Sequence, residues 1–276
     1  MRSLLCLIIL VLLVTACQKP EEILPIPPPA ERPATEAPSE NSDKETQVPV
    51  DIDSESFQSA VFNGLPYRIL VPRNYDPNRS YPMLVFLHGM GERGSDNERQ
   101  LSIGASHFLA DSIRERYPFF VIYPQCPESD YWFDDRIVKR VKELIDTLQG
   151  QYAVDKNKIS IGGFSMGAYG TFEIASRYPG FFEAAFAISG DGDETKASLM
   201  AKSRWRIFAG KDDDVVASYK SEKMARALEK AGASVSFTLY PGASHGRMWT
   251  HAFSEPDLFD WLYQGKNPSI AQGLPN

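Results

Sequence analysis

Cysteine is scarce in this 276-residue chain: Cys6 and Cys17 fall at the N-terminal end and only Cys126 stands in the remainder. No internal disulfide is therefore expected to brace the body of the protein. Histidine is almost as rare, with 4 residues, and no His or Cys group stands at metal-ligand spacing, so neither a metal nor another cofactor is implied. Clusters of basic residues are missing too. With 29 Lys and Arg against 36 Asp and Glu, the balance argues against nucleic acid as a partner. Aromatic residues are absent from residues 18–56, and the longest unbroken apolar run, Leu4 to Val14, is too short to span a bilayer as a helix.

That apolar run follows Met1-Arg2 and closes on Leu13-Val14-Thr15-Ala16-Cys17, the layout of a secretory leader. Small residues leading into a cysteine resemble the lipobox of bacterial lipoproteins. The resemblance implies a 1–17 signal segment and a lipidated Cys17 as the new first residue. With Gln18 next, it points to the outer membrane of a two-membrane bacterium, or more broadly to an exported, membrane-anchored protein at the periplasm or cell surface. Residues 18–56 read as a tether. They hold eight prolines, and ten acids against Lys19, Arg32 and Lys44. Such a stretch buries too little apolar surface to fold, and its like charges keep it extended. The expected membrane contact is through the lipid anchor alone.

Residues 57–276 suit one domain. Tyr67–Val71, Met83–Leu87, Phe119–Tyr123, Ile159–Gly162, Ala184–Ile188, Trp205–Phe208 and Val235–Leu239 read as strands too uniformly apolar to have a wet face. Between them, Asp135–Gln149, Met166–Arg177, Val216–Ala231 and Pro256–Tyr263 space their apolar residues as helices do. The alternation predicts an α/β fold, a mostly parallel sheet with helices on both faces.

The strongest chemical signal is Gly163-Phe164-Ser165-Met166-Gly167, a G-x-S-x-G run between a predicted strand and a predicted helix. A nucleophilic Ser there sits on a tight turn, needs neighbours without bulk two positions away, and aims a helix N-terminus at the developing oxyanion. Upstream, the strand ending Leu87-His88-Gly89 runs into a glycine-rich loop, which makes the amide of Met90 the second oxyanion donor beside that of Met166. His88 itself is better read as a brace for the loop. For the base, His245 just past the last strand is preferred over His251 and His107. For the acid, Lys211-Asp212-Asp213-Asp214 offers three candidates after a strand.

These landmarks resemble the bacterial α/β-hydrolases akin to feruloyl and acetyl-xylan esterases, often labelled "predicted peptidase". The shared residues are His88-Gly89-x-Gly91-Glu92-Arg93-Gly94, Asp96-Asn97, Gly163-x-Ser165-Met166-Gly167, Arg177-Tyr178-Pro179, Pro241-Gly242 before His245, and Leu258-Phe259-Asp260-Trp261-Leu262. In that family the acid falls three after the turn glycine, here Gly210. That selects Asp213, with Asp214 the alternative one residue on. The chain departs from the pattern after the base, where Gly246-Arg247-Met248-Trp249 stands in place of a small polar residue and Trp. Glu92, Trp132 and Trp249 are the candidate substrate contacts. The run Tyr131-Trp132-Phe133 suits rim stacking and core packing equally, and Asp191 is expected to be structural or pocket-lining.

The resemblance implies an α/β-hydrolase without a large cap domain, since Ile188 to Trp205 leaves no room for one. It implies a serine esterase with Ser165, Asp213 and His245 as triad, acting on a carboxylic ester, with acetyl or feruloyl groups on plant polysaccharide as the expected substrate. A serine peptidase, a polyester or lipid esterase, and a non-catalytic carbohydrate-binding lipoprotein are the alternatives.

Overall fold

Strands apolar at every position need cover on both faces, and the computed structural model, which describes residues 55–264, provides it. The strands are β1 (Gln58–Phe62), β2 (Leu65–Leu70), β3 (Tyr81–Leu87), β4 (Phe120–Pro124), β5 (Val154–Phe164), β6 (Ala184–Ile188), β7 (Arg204–Gly210) and β8 (Val235–Tyr240). They form one sheet in the order β1-β2-β4-β3-β5-β6-β7-β8. β1 and β2 run antiparallel at one end, β2 meets β4 antiparallel, and every pairing from β4 through β8 is parallel. The helices are α1 (Ala105–Leu109), α2 (Asp111–Arg116), α3 (Asp135–Gln151), α4 (Met166–Arg177), α5 (Ala197–Met200), α6 (Ser218–Lys230), α7 (Met248–Phe253) and α8 (Leu258–Gln264).

Alternation along a strand sends neighbouring side chains to opposite faces, and β3 shows the result directly. Met83, Val85 and Leu87 join a core with Val141 and Leu144 of α3, Phe172 of α4 and Leu228 of α6. Leu84 and Phe86 join a second core with Phe108 of α1, Phe253 of α7 and Trp261 of α8. All seven residues of β3 are buried, which is why the segment lacks a polar face.

Seven predicted strands and four predicted helices are present, with ends shifted by a few residues. β1 was not predicted. It is built with β2 on the turn Asn63-Gly64, whose φ values of 47° and 75° give the twist that a two-residue hairpin requires. Helix α6 begins two residues later than its apolar pattern because the Val215 and Val216 amides are engaged by the Asp213 carboxylate instead. The segment between β6 and β7 carries only a 3-10 turn and α5, so no cap domain is inserted there. The expected lipidation site at Cys17, the expected 1–17 signal and nearly all of the expected 18–56 tether lie outside the described residues.

The loop after β3 is pinned by buried polar contacts. The Cys126 amide donates to His88 Nε2 (3.0 Å), so Nδ1 carries the proton and donates to the Gly89 carbonyl (2.6 Å). Trp132 Nε1 donates to the His88 carbonyl (2.9 Å). Gln125 donates to Glu92 O and Asp96 and accepts from the Asn97 amide, and the Asn97 side chain donates to the Ala60 and Tyr67 carbonyls. The loop is thereby tied to β1, to β2 and to the residue that follows β4. Burial lowers the His88 pKa from 6.5 to about 4.

Two expectations follow from this packing. Phe86, fully buried against Tyr123, Phe186 and Phe253, leaves a cavity when truncated. Phe86→Ala is expected to lower stability by about 3–5 kcal/mol in urea unfolding; a loss near zero would contradict this core. Because the unfolded chain protonates His88 well above the folded one, its contribution is complete above pH 6.5 and is lost as pH falls toward 4. Stability should drop by about 2 kcal/mol between pH 7 and pH 5 through this residue. His88→Gln should flatten that slope, and an unchanged slope would mean that His88 is not held neutral.

Candidate active site

The turn joining β5 to α4 is shaped by what cannot fit there. An added Cβ on Gly163 would lie 2.3 Å from the Gly167 carbonyl carbon, and one on Gly167 would lie 1.9 Å from the Leu87 carbonyl oxygen. Glycine at both places lets the chain reverse against the end of β3, and the reversal leaves Ser165 at φ 54° and ψ −120°, a conformation a side-chain-bearing residue rarely adopts. The Ser165 amide is anchored to the Ile188 carbonyl at 2.9 Å. The Ala168 and Tyr169 amides return to the Ser165 carbonyl, so the Met166 amide lies at the start of α4, among the donors a helix leaves without an internal partner.

Three strand ends bring the candidate residues together at the carboxyl edge of the sheet, Ser165 after β5, Asp213 after β7 and His245 after β8. His245 Nε2 is 2.9 Å from Ser165 Oγ. Its Nδ1 is 2.9 and 3.0 Å from the two oxygens of Asp213. Of the three consecutive aspartates only Asp213 is buried; Asp212 and Asp214 are exposed. Asp213 Oδ1 also accepts the Val216 and Val215 amides at 2.8 and 3.0 Å. Burial pushes the Asp213 pKa up, but these amides and the His245 contact outweigh it and hold the carboxyl below its ordinary range. An ionised acid facing Nδ1 fixes the proton on that nitrogen and leaves Nε2 free to accept from Ser165.

The other candidates separate. Met90 opens a 3-10 turn beside Gly89 and is half exposed. The Glu92 carboxyl folds back toward Gly89, and burial raises its pKa. Trp249 is partly buried, edge-on to His107 and packed against the second core. Trp132 corrects the expectation of a substrate contact: it is fully buried, its indole N–H is spent on the His88 carbonyl, and Gly170 of α4 leaves the space for it. The exposed ring of that run is Phe133. His251 is exposed and stacked on Tyr240, and His107 is stacked on Phe253, so neither meets Ser165.

Two neighbours escaped sequence reading. Phe164 packs its ring 5.0 Å from that of His245, a role concealed in the variable position of the G-x-S-x-G run. Ser189, buried at φ 51°, donates its amide to the Phe208 carbonyl at 2.8 Å, and its hydroxyl lies close enough to Asp213 to favour the ionised carboxyl.

Comparisons with known proteins agree with this architecture. Residues 128–256 match the dienelactone hydrolase family. The chain is 26% identical over 133 residues to poly(3-hydroxyalkanoate) depolymerase C of Paucimonas lemoignei, covering 44% of this chain and 30% of that one. It is 30% identical over 158 residues to a bifunctional acetylxylan esterase/xylanase of Neocallimastix patriciarum, covering 55% and 22%. The solved structure of a thermostable esterase superposes with a TM-score of 0.69 at 32% identity, over 72% of this chain and 59% of that chain. The chain thus spans less than two thirds of each of these proteins. By its sheet and its strand-turn-helix around Ser165, the chain has an α/β-hydrolase-like fold, and it is similar to esterases over part of their length.

Proposed function

We propose that the protein is a serine esterase that hydrolyses carboxylic esters through an acyl-enzyme. The observation that carries this reading is the continuous run of short contacts from the Asp213 carboxylate through the His245 ring to Ser165 Oγ, ending on a serine held at the start of a helix. In this reading His245 Nε2 takes the hydroxyl proton as Ser165 Oγ attacks the ester carbonyl carbon, and Asp213 stabilises the imidazolium. The carbonyl oxygen, now anionic, is received by the amides of Met90 and Met166. His245 returns the proton to the departing alcohol, then deprotonates the water that releases the acid from Ser165.

A polymer-linked ester, acetyl or feruloyl on plant polysaccharide, is the proposed substrate. The short β6–β7 segment leaves the site without the cover that seals a free lipid, and the likeness to a bifunctional acetylxylan esterase/xylanase supports the same choice. Glu92 and Trp249 are the proposed rim contacts. Lipidation of Cys17 would hold the enzyme at the outer membrane or cell surface, its acidic tether extending the catalytic domain toward insoluble polymer; the leader and the residues around Cys17 support this.

Turnover of 4-nitrophenyl acetate tests the reading. Ser165→Ala and His245→Ala should each lower kcat by about 10^4-fold or more, and Asp213→Asn by about 10^4-fold through loss of the Nδ1–H tautomer. Asp214→Asn, with its exposed side chain, should keep most of the activity. Wild-type inactivity, or full activity in Ser165→Ala, would overturn the proposal.

A further inference from the structure

A cavity of about 400 Å³ lies outside the triad, against one face of α4. Tyr169, Phe172, Glu173 and Ser176 form its floor, a three-to-four-residue spacing that runs along the helix for ~10 Å. Phe133, and Asp191 and Asp193 of the loop after β6, also line this groove. Two of its lining residues, Tyr169 and Phe133, connect with elements of the candidate site. Tyr169 is one turn beyond Ser165, its amide bonded to the Ser165 carbonyl. Phe133 stacks on Tyr131 with centroids 5.1 Å apart, and Arg93 of the loop after β3 lies 5.1 Å over the Tyr131 ring. The ladder Arg93–Tyr131–Phe133 thus connects the proposed oxyanion loop with the groove.

The lining mixes aromatic faces with carboxylates, yet its charges are largely matched. Glu173 accepts from Lys196 at 2.9 Å and from Arg177 at 2.6 Å. Asp191 accepts the Gly192 amide with one oxygen and has its other oxygen 3.8 Å from Lys220. Asp193 accepts from the Thr195 amide and hydroxyl. A fatty chain would leave these charges desolvated without partners. A cationic peptide would meet Glu173 and Asp191 already facing Lys196, Arg177 and Lys220. A neutral polyhydroxylated ring matches both components, with C–H faces for Phe133 and Tyr169 and hydroxyl donors for carboxylate oxygens, the stronger class of hydrogen bond.

We infer that this groove is a glycosyl subsite, which binds the sugar units adjoining the one that carries the scissile ester. The inference rests on the esterase reading for its role, but its binding test does not need turnover. Calorimetric titration of the Ser165→Ala protein with unesterified xylotetraose should show saturable binding. Adding Phe133→Ala, which removes an exposed ring, should weaken that binding roughly three- to tenfold, and adding Asp191→Asn instead should weaken it as well. Absence of binding, affinity indifferent to both substitutions, or binding of a cationic dipeptide amide such as Gly-Pro amide in place of the sugar would overturn the subsite. If 4-nitrophenyl acetate is hydrolysed by the wild type while xylotetraose does not bind, the subsite fails and the esterase stands. If xylotetraose binds in the predicted way but no ester is hydrolysed, the groove stands as a sugar-binding site, while the esterase reading and the groove's role beside a scissile ester fail.

Discussion

The close approach of α4 to the end of β3 is the constraint on which the site depends. Gly167 rests on the Leu87 carbonyl with no room for even one methyl group, and Gly163 folds over Gly167 in the same small space. Only that contact allows the chain to leave β5 and enter a helix within one residue, with Ser165 forced to positive φ at the apex. The strain is local, and the surrounding structure over-determines it: a parallel sheet buried on both faces, and a Ser165 amide bonded to β6. The same contact sets the first turn of α4 beside the loop that begins at His88, which brings two separate stretches of backbone to one point.

Around that apex the electrostatics are arranged by burial. His88 lies close to the carboxyl edge of the sheet but is enclosed and neutral, with both ring nitrogens engaged by backbone, so it holds a loop. His245 is partly exposed and faces an ionised acid on one nitrogen and a hydroxyl on the other. Two histidines near one edge of the sheet thus have opposite parts, set by their surroundings rather than by residue type.

Much of this was legible in the sequence because the signals were local. The strand cores declared themselves as apolar runs, and the G-x-S-x-G spacing carries its own steric reason. What the sequence could not separate was decided by burial. Asp212, Asp213 and Asp214 are chemically alike, and only the turn that presents the Val215 and Val216 amides selects the middle one. Trp132 and Phe133 are adjacent aromatics, but the space left by Gly170 draws one ring into the core while the other stays outside. The hairpin partner β1 was missed because its five residues, QSAVF, are short and mixed in character; its clearest mark was the Asn63-Gly64 turn. Ser189 was legible only as the start of the glycine-rich turn Ser189-Gly190-Asp191-Gly192-Asp193, since its place beside Asp213 depends on the parallel pairing of β6 with β7.

The central claim is that Ser165 is an activated nucleophile, and covalent labelling tests it most directly. Treatment of the protein with a fluorophosphonate, followed by peptide mass spectrometry, should place one phosphonyl adduct on Ser165 and much slower labelling in His245→Ala. An unlabelled protein, or an adduct on another residue with Ser165 unmodified, would contradict the account.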